Sequence, residues 1–167
     1  MKRIVITLFG LLFLFSACQQ KGTPKKTNVQ DSKKAVANVL EKYVIANENQ
    51  DLSMIEQIWA PDNDIILFGT NSEEKLMGWD NIKKAIQAQF KAISETYISP
   101  QQQYIRIGPD QKTAWFAEIL NYNFVYKGKA HSFEGLRFTG VLEKRNDGWK
   151  IVQAHLSIPG HVNLESE

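Results

Sequence analysis

Cysteine occurs once among the 167 residues, so no intrachain disulfide can staple this protein, whatever its redox compartment. Histidine is scarce too: His131, His155 and His161 show no ligand spacing, so no metal ion is expected, and nothing in the chain points to a bound cofactor. Glycine-rich phosphate loops are missing, and Ser157 has no nucleophile-elbow motif around it, which removes P-loop and serine-hydrolase chemistry from consideration. Charge of one sign is not in excess, since 20 Lys and Arg face 18 Asp and Glu. A nucleic-acid footprint would need a basic surplus on one face, so no nucleic-acid partner is expected.

What is present begins with a patterned leader. Lys2 and Arg3 precede an uncharged apolar run from Ile4 to Phe15, followed by the small residues Ser16 and Ala17. This is the order of a secretory signal. The run is about 12 residues, too short for a comfortable membrane-spanning helix. The lone cysteine, Cys18, stands directly after it. Phe15-Ser16-Ala17-Cys18 resembles a bacterial lipobox, with Phe15 where leucine is more usual. The resemblance implies cleavage before Cys18 and lipidation of its thiol. The protein would then be held to a membrane by lipid, outside the cytoplasm, in a bacterial cell envelope. Several acyl chains anchor stably where one binds only marginally. Loss of residues 1–17 also removes Lys2 and Arg3, which leaves the mature chain with no net charge.

The organisation that follows is a signal over 1–17, a lipidated cysteine and polar tether over 18–31, one domain over 32–160 and a tail over 161–167. Val36, Val39, Leu40, Tyr43, Val44 and Ala46 recur at helical spacing and predict a helix from about Ser32 to Asn49. A short helix over 52–59 would bury Leu52, Ile55, Ile58 and Trp59 before Pro61 stops it. A short strand over 65–68, a loop over 70–78 and a third helix from Trp79 to Ile93 come next. Then the pattern changes to strands over 96–107, 113–126, 132–144 and 149–158, joined by short turns such as Asn146-Asp147-Gly148. Turns so short require an antiparallel sheet. The expected fold class is α+β: a cone-shaped, curved antiparallel sheet wrapped over three N-terminal helices.

This order, and several local phrases, resemble the nuclear transport factor 2-like superfamily, especially its SnoaL-like branch. The phrases are Asn49-Gln50-Asp51-Leu52, Gly78-Trp79-Asp80-Asn81-Ile82, Arg137-Phe138-Thr139-Gly140-Val141-Leu142, Trp149-Lys150-Ile151-Val152 and His155-Leu156-Ser157. The branch includes isomerases, polyketide cyclases, dehydratases and non-catalytic binding or assembly domains, so fold leaves function open. Alignment to ketosteroid isomerases through Tyr126-Lys127-Gly128 implies which residues face the cavity. They are Phe116, Glu118, Leu120, Tyr122 and Phe124 from one strand, and Glu134, Leu136 and Phe138 from the next. Ile151, Gln153, His155 and Ser157 follow from the last strand, and Ile66 and Phe68 from the short first one. A one-residue slip would invert any of these sets.

The expected binding site is therefore Tyr43, Trp59, Phe68, Phe116, Tyr122, Glu134, Phe138, Gln153 and Ser157, an aromatic hollow with a few polar groups, suited to a small apolar or aromatic molecule. The resemblance sets Tyr43 and Glu134 where an isomerase has its enolate-stabilising donors, but Phe68 where it has its base. Glu118 and His155 form the alternative catalytic candidate, a general acid–base pair, with mutual satisfaction of two buried polar groups as the structural reading of the same pair. The opposite sheet face, with Trp115, Ile119, Val125, Arg137, Thr139, Val141 and Ala154, is apolar enough to want a partner, and a homodimer through it is expected. Three roles stay open: ligand binding, acid–base catalysis of isomerase, cyclase or dehydratase type, and dimerisation or assembly.

Overall fold

The computed structural model describes residues 28–71 and 73–160. The expected signal, Cys18, the tether up to residue 27 and the tail from His161 lie outside these residues. Helix α1 (Val29–Asn49) starts earlier than its apolar stripe suggests, because the Asn28 side chain caps it by accepting from the Gln30 N–H at 3.0 Å. Helix α2 (Leu52–Ile58) is capped likewise by Asp51, whose carboxylate accepts from Met54 N–H at 3.0 Å. Trp59 then leaves α2 in extended conformation and bridges to Ile151.

The sheet contains β1 (Ile66–Phe68), β2 (Lys75–Met77), β3 (Ile93–Ile107), β4 (Thr113–Tyr126), β5 (Lys129–Arg145) and β6 (Gly148–Ser157), with α3 (Trp79–Ala92) between β2 and β3. Its spatial order is β2-β1-β6-β5-β4-β3, open at both edges. Strands β3 to β6 form the expected antiparallel meander. The expectation of a wholly antiparallel sheet is corrected at β1, which lies parallel to β6. The chain between them includes α3 and four strands, ample for a parallel crossover. The expected loop over 70–78 is corrected as well: it contains β2, which closes a hairpin on β1 through Phe68↔Lys75.

Helices cover one face of the sheet. Val36, Leu40, Tyr43 and Val44 of α1, Ile55 and Ile58 of α2, and Ile82 and Ile86 of α3 meet Phe116, Leu120, Leu136, Phe138, Leu142 and Ile151 in one core. The alternation expected in β4 is seen there: Phe116, Glu118, Leu120 and Tyr122 are buried, while Trp115 is 40% exposed. Glycine is required at position 140 for a different reason from a turn. A Cβ there would run into the Gln153 carbonyl oxygen and approach Phe116 Cε1 to 2.6 Å, so only a hydrogen lets β5, β6 and the Phe116 ring close up.

Four irregularities curve the sheet and reset its faces, the first in β3 between Ser94 and Tyr97, with Glu95 at φ +49°. In β3 the register shifts again between Gln101 and Tyr104, with Gln102 at φ +50°. In β5, Leu136 pairs Leu120 and Phe133 pairs Tyr122, so Glu134 and Gly135 together oppose Asn121. Gly135 takes φ +68°, and its N–H donates to Asn121 Oδ1 at 3.0 Å. In β6, Ile151 pairs Leu142 but Gln153 pairs Val141, leaving Val152 as the extra residue.

Candidate functional site

The bulges decide which side chains reach the cavity. Beyond Val152, the helix-facing row runs Glu118–Phe138–Leu156, and the next row, Ala117–Thr139–His155, faces the opposite way. Gln153, His155 and Ser157 therefore sit on the outer face, a correction of the inward set expected for β6 from Gln153 onward. One extra residue is the physical cause, since it moves every later side chain to the other face. Glu118 and His155 lie on opposite sides of the sheet, so the expected acid–base pair is not assembled. Ala154 conversely turns inward and is fully buried, which removes it from the outer face.

Glu134 is also corrected. The Gly135 bulge leaves it exposed and brings Phe133 to the cavity instead. In β1 the inward residue is Leu67, paired with Ala154, rather than Ile66 or Phe68. Phe68 is 39% exposed and meets the His155 ring edge-on at 5.8 Å between centroids. With Ser157 it lines an adjoining groove on the outer side of the β1–β2 hairpin, which shares Gly69, Thr70, Glu74 and Leu156 with the cavity.

What does assemble is a cavity of about 200 Å³ between the helices and the sheet. Its apolar wall is Leu67, Ile86, Ile93, Phe124, Phe133, Leu136 and Leu156, and Trp59 closes it where α2 ends. Tyr43, Asn47, Gln89 and Tyr122 form its polar side. Gln89 Nε2 donates to the Tyr122 hydroxyl at 3.0 Å and approaches Asn47 Oδ1 at 3.4 Å, while Asn47 Nδ2 donates back to the Tyr43 carbonyl at 2.8 Å. Of the residues expected in the site, Tyr43, Trp59 and Tyr122 line this cavity. Phe138 and Phe116 stand behind it: Phe138 stacks on Tyr43 at 4.5 Å and meets Phe116 edge-on at 4.8 Å, which fixes the Tyr43 ring.

Both cavity tyrosines are held neutral. Burial raises the pKa of Tyr43, and neighbouring Tyr122 and the charges of Glu118 and Glu74 add to the rise against a hydrogen bond from Asn47. Burial likewise raises that of Tyr122, opposed by the Gln89 hydrogen bond. The cavity therefore presents neutral hydroxyls, able to donate to a ligand oxygen.

Glu118 is deeper and does not line the cavity. It is 2% exposed, and among the described residues its one side-chain partner is Gln103, whose Nε2 reaches in from the β3 bulge to Oε2 at 2.8 Å, while its Oε1 has none. Burial raises its pKa, with the Gln103 hydrogen bond opposing.

Sequence reasoning missed Asn47, Gln89, Thr70 and Glu74. Asn47 and Gln89 each lie one turn past an apolar residue already assigned to a helix stripe, Tyr43 and Ile86, and that spacing is the signal that could have found them. Thr70 and Glu74 come from the tip of the β1–β2 hairpin, whose strands of three residues are too short to show alternation. The Glu74 carboxylate folds back over Gly69, into space that a Cβ at 69 would occupy. Among the described residues, no cluster of three or more potential metal ligands occurs.

Comparison with known proteins agrees with this geometry. A family model described as a SnoaL-like domain matches residues 36–161. A nuclear transport factor 2-like superfamily protein from Salmonella enterica superposes with a TM-score of 0.75 at 16% identity, covering 84% of this chain and 99% of its own. A candidate dehydratase of the same superfamily from Streptomyces avermitilis gives 0.69 at 14% identity, covering 79% and 99%. A candidate calcium/calmodulin dependent protein kinase II association domain from Xanthomonas campestris gives 0.64 at 23% identity, covering 76% and 87%. Among curated protein sequences, none matches. At these identities the structures share the fold with this chain, and no more is drawn from them.

Proposed function

Because the chain belongs to the SnoaL-like domain family of the nuclear transport factor 2-like superfamily, we propose that it uses the cone for binding: a lipoprotein domain at the bacterial cell envelope that holds a small apolar or aromatic molecule. The observation that carries this reading is the cavity of about 200 Å³, whose apolar wall faces a short row of hydrogen-bonded neutral groups, Tyr43, Asn47, Gln89 and Tyr122. Such a wall supplies affinity through burial, and the polar row orients one oxygen-bearing end of the ligand. Lipidation at Cys18 would keep the site outside the cytoplasm and close to a membrane. No helix among the described residues is long and apolar enough to cross one.

The test is native mass spectrometry of the protein isolated from its host. A retained small molecule, lost when Tyr122 is replaced by alanine, is the expected result. A protein free of any ligand, and unable to take up apolar aromatics, would remove the proposal. The anchor is tested separately: Cys18→Ala should abolish labelling by a fatty-acid precursor and release the protein from membranes.

A second element of the proposal is a twofold dimer through the outer face, where Trp115, Val141 and Thr139 stay partly open in the single chain. Light scattering that gives a monomer at micromolar concentration would end this part alone.

A further inference from the structure

The cavity is more selective than its apolar wall suggests, because the one charged side chain that lines it and the two helix ends beside it share the same sign. Among the residues that line it there is one carboxylate, Glu74, and no lysine, arginine or histidine. Glu74 has no ion-pair partner among the described residues; its nearest polar contact is the Asn71 N–H at 3.5 Å. Two helices also end at the cavity. Asn47 stands in the last turn of α1 and Gln89 in the last turn of α3, and Gln50 Nε2 ties the two ends together by donating to the Ile93 carbonyl at 2.6 Å. A helix C-terminus carries roughly half a negative charge. The last turn of α1 contains no basic residue, and Lys91 in that of α3 is exposed and does not line the cavity. Finally, aromatic rings from Tyr43, Trp59, Tyr122, Phe124 and Phe133 make up much of the wall, and their faces attract cations.

From these converging features we infer that the cavity takes a protonated amine with an apolar or aromatic body, the ammonium held at Glu74, and that it rejects carboxylates of the same shape. The inference rests on the binding function proposed above and adds the charge of the ligand to it. A carboxylate in the cavity would lose its hydration, meet Glu74 and two helix C-termini, and find no cation to offset them. An ammonium would meet the opposite situation, and the neutral hydroxyls would still receive any acceptor it carries.

The experiment is calorimetric titration of the full chain carrying Cys18→Ala, which needs no detergent, with three matched probes: naphthylmethylamine, naphthalenemethanol and naphthoic acid. The amine should bind on the order of tenfold tighter than the alcohol, the factor expected of a partly desolvated ion pair, and the acid more weakly than either. Glu74→Gln should bring amine and alcohol to equal affinity. Glu73→Gln, which removes a neighbouring charge from the outer groove only, should leave the amine ahead and so exclude a general surface-charge effect. Equal binding of amine and alcohol by the Cys18→Ala chain with Glu74 in place overturns the charge inference and leaves the binding function standing. Binding of none of the three overturns both.

Discussion

Glu118 offers the sharpest test of how the core was read. Replacing it by glutamine keeps the shape and keeps an oxygen for the Gln103 amide, but removes the capacity for charge. In the folded protein the carboxyl is 2% exposed, with one hydrogen bond and one unpartnered oxygen. A buried polar group without a partner costs about 1–3 kcal/mol, and an ionised one more. Burial raises the folded-state pKa above that of the unfolded chain, so the unfolded chain releases its proton first. Stability from this group is then fully present below the unfolded carboxylate value and is lost as the pH rises through the folded one. At pH 7, E118Q should therefore be more stable than the parent, by about 1.4 kcal/mol for each pH unit by which burial raises the folded-state titration, up to pH 7. Below about pH 4, where both forms of the parent are protonated, the two proteins should coincide. Urea unfolding at a series of pH values measures the difference directly. Parallel stability curves from pH 4 to 8, or an E118Q variant weaker than the parent at pH 7, would refute the assignment of Glu118 as a buried, poorly solvated acid.

Further expectations follow from the sheet and the hairpin. Gly140→Ala would drive a methyl into Phe116 and the β6 backbone, with an expected loss of about 3 kcal/mol in urea unfolding. His155→Ala, on the outer face, should change stability by less than about 0.5 kcal/mol and leave retention of any cavity ligand as it was; loss of the ligand would return His155 to the site. Gly69→Ala meets only the far end of the Glu74 side chain, so its stability should fall by less than about 1 kcal/mol. It should nevertheless displace that carboxylate and erase the amine-over-alcohol preference in the same titration.

Much of the architecture is legible in the residue pattern because long elements repeat their signal. About three turns of α1 repeat the stripe from Val36 to Ala46, and β4 alternates from Thr113 through Tyr122, so Glu118 and Tyr122 face the helices as expected. The site is less legible because it depends on parity. Val152 is an unremarkable valine in a strand, yet counting past it without the bulge assigns Gln153, His155 and Ser157 to the wrong face. Gly135 did carry a signal, since an isolated glycine inside a strand often marks a bulge, and heeding it would have exchanged Glu134 for Phe133. The β1–β2 hairpin, with three residues in each strand, offers too few positions for any period to show, and Glu74 comes from its tip.

The parallel pairing of β1 with β6 also orders events during synthesis. Trp59, Ala60 and residues 66–68 have as their sheet neighbour a strand that begins only at residue 148, with Ala60 N–H donating to the Ile151 carbonyl at 3.0 Å. Until that strand emerges, residues 66–68 can pair only with β2, and Leu156 is missing from the cavity wall. The long-range contacts that join this edge to the meander therefore arrive last.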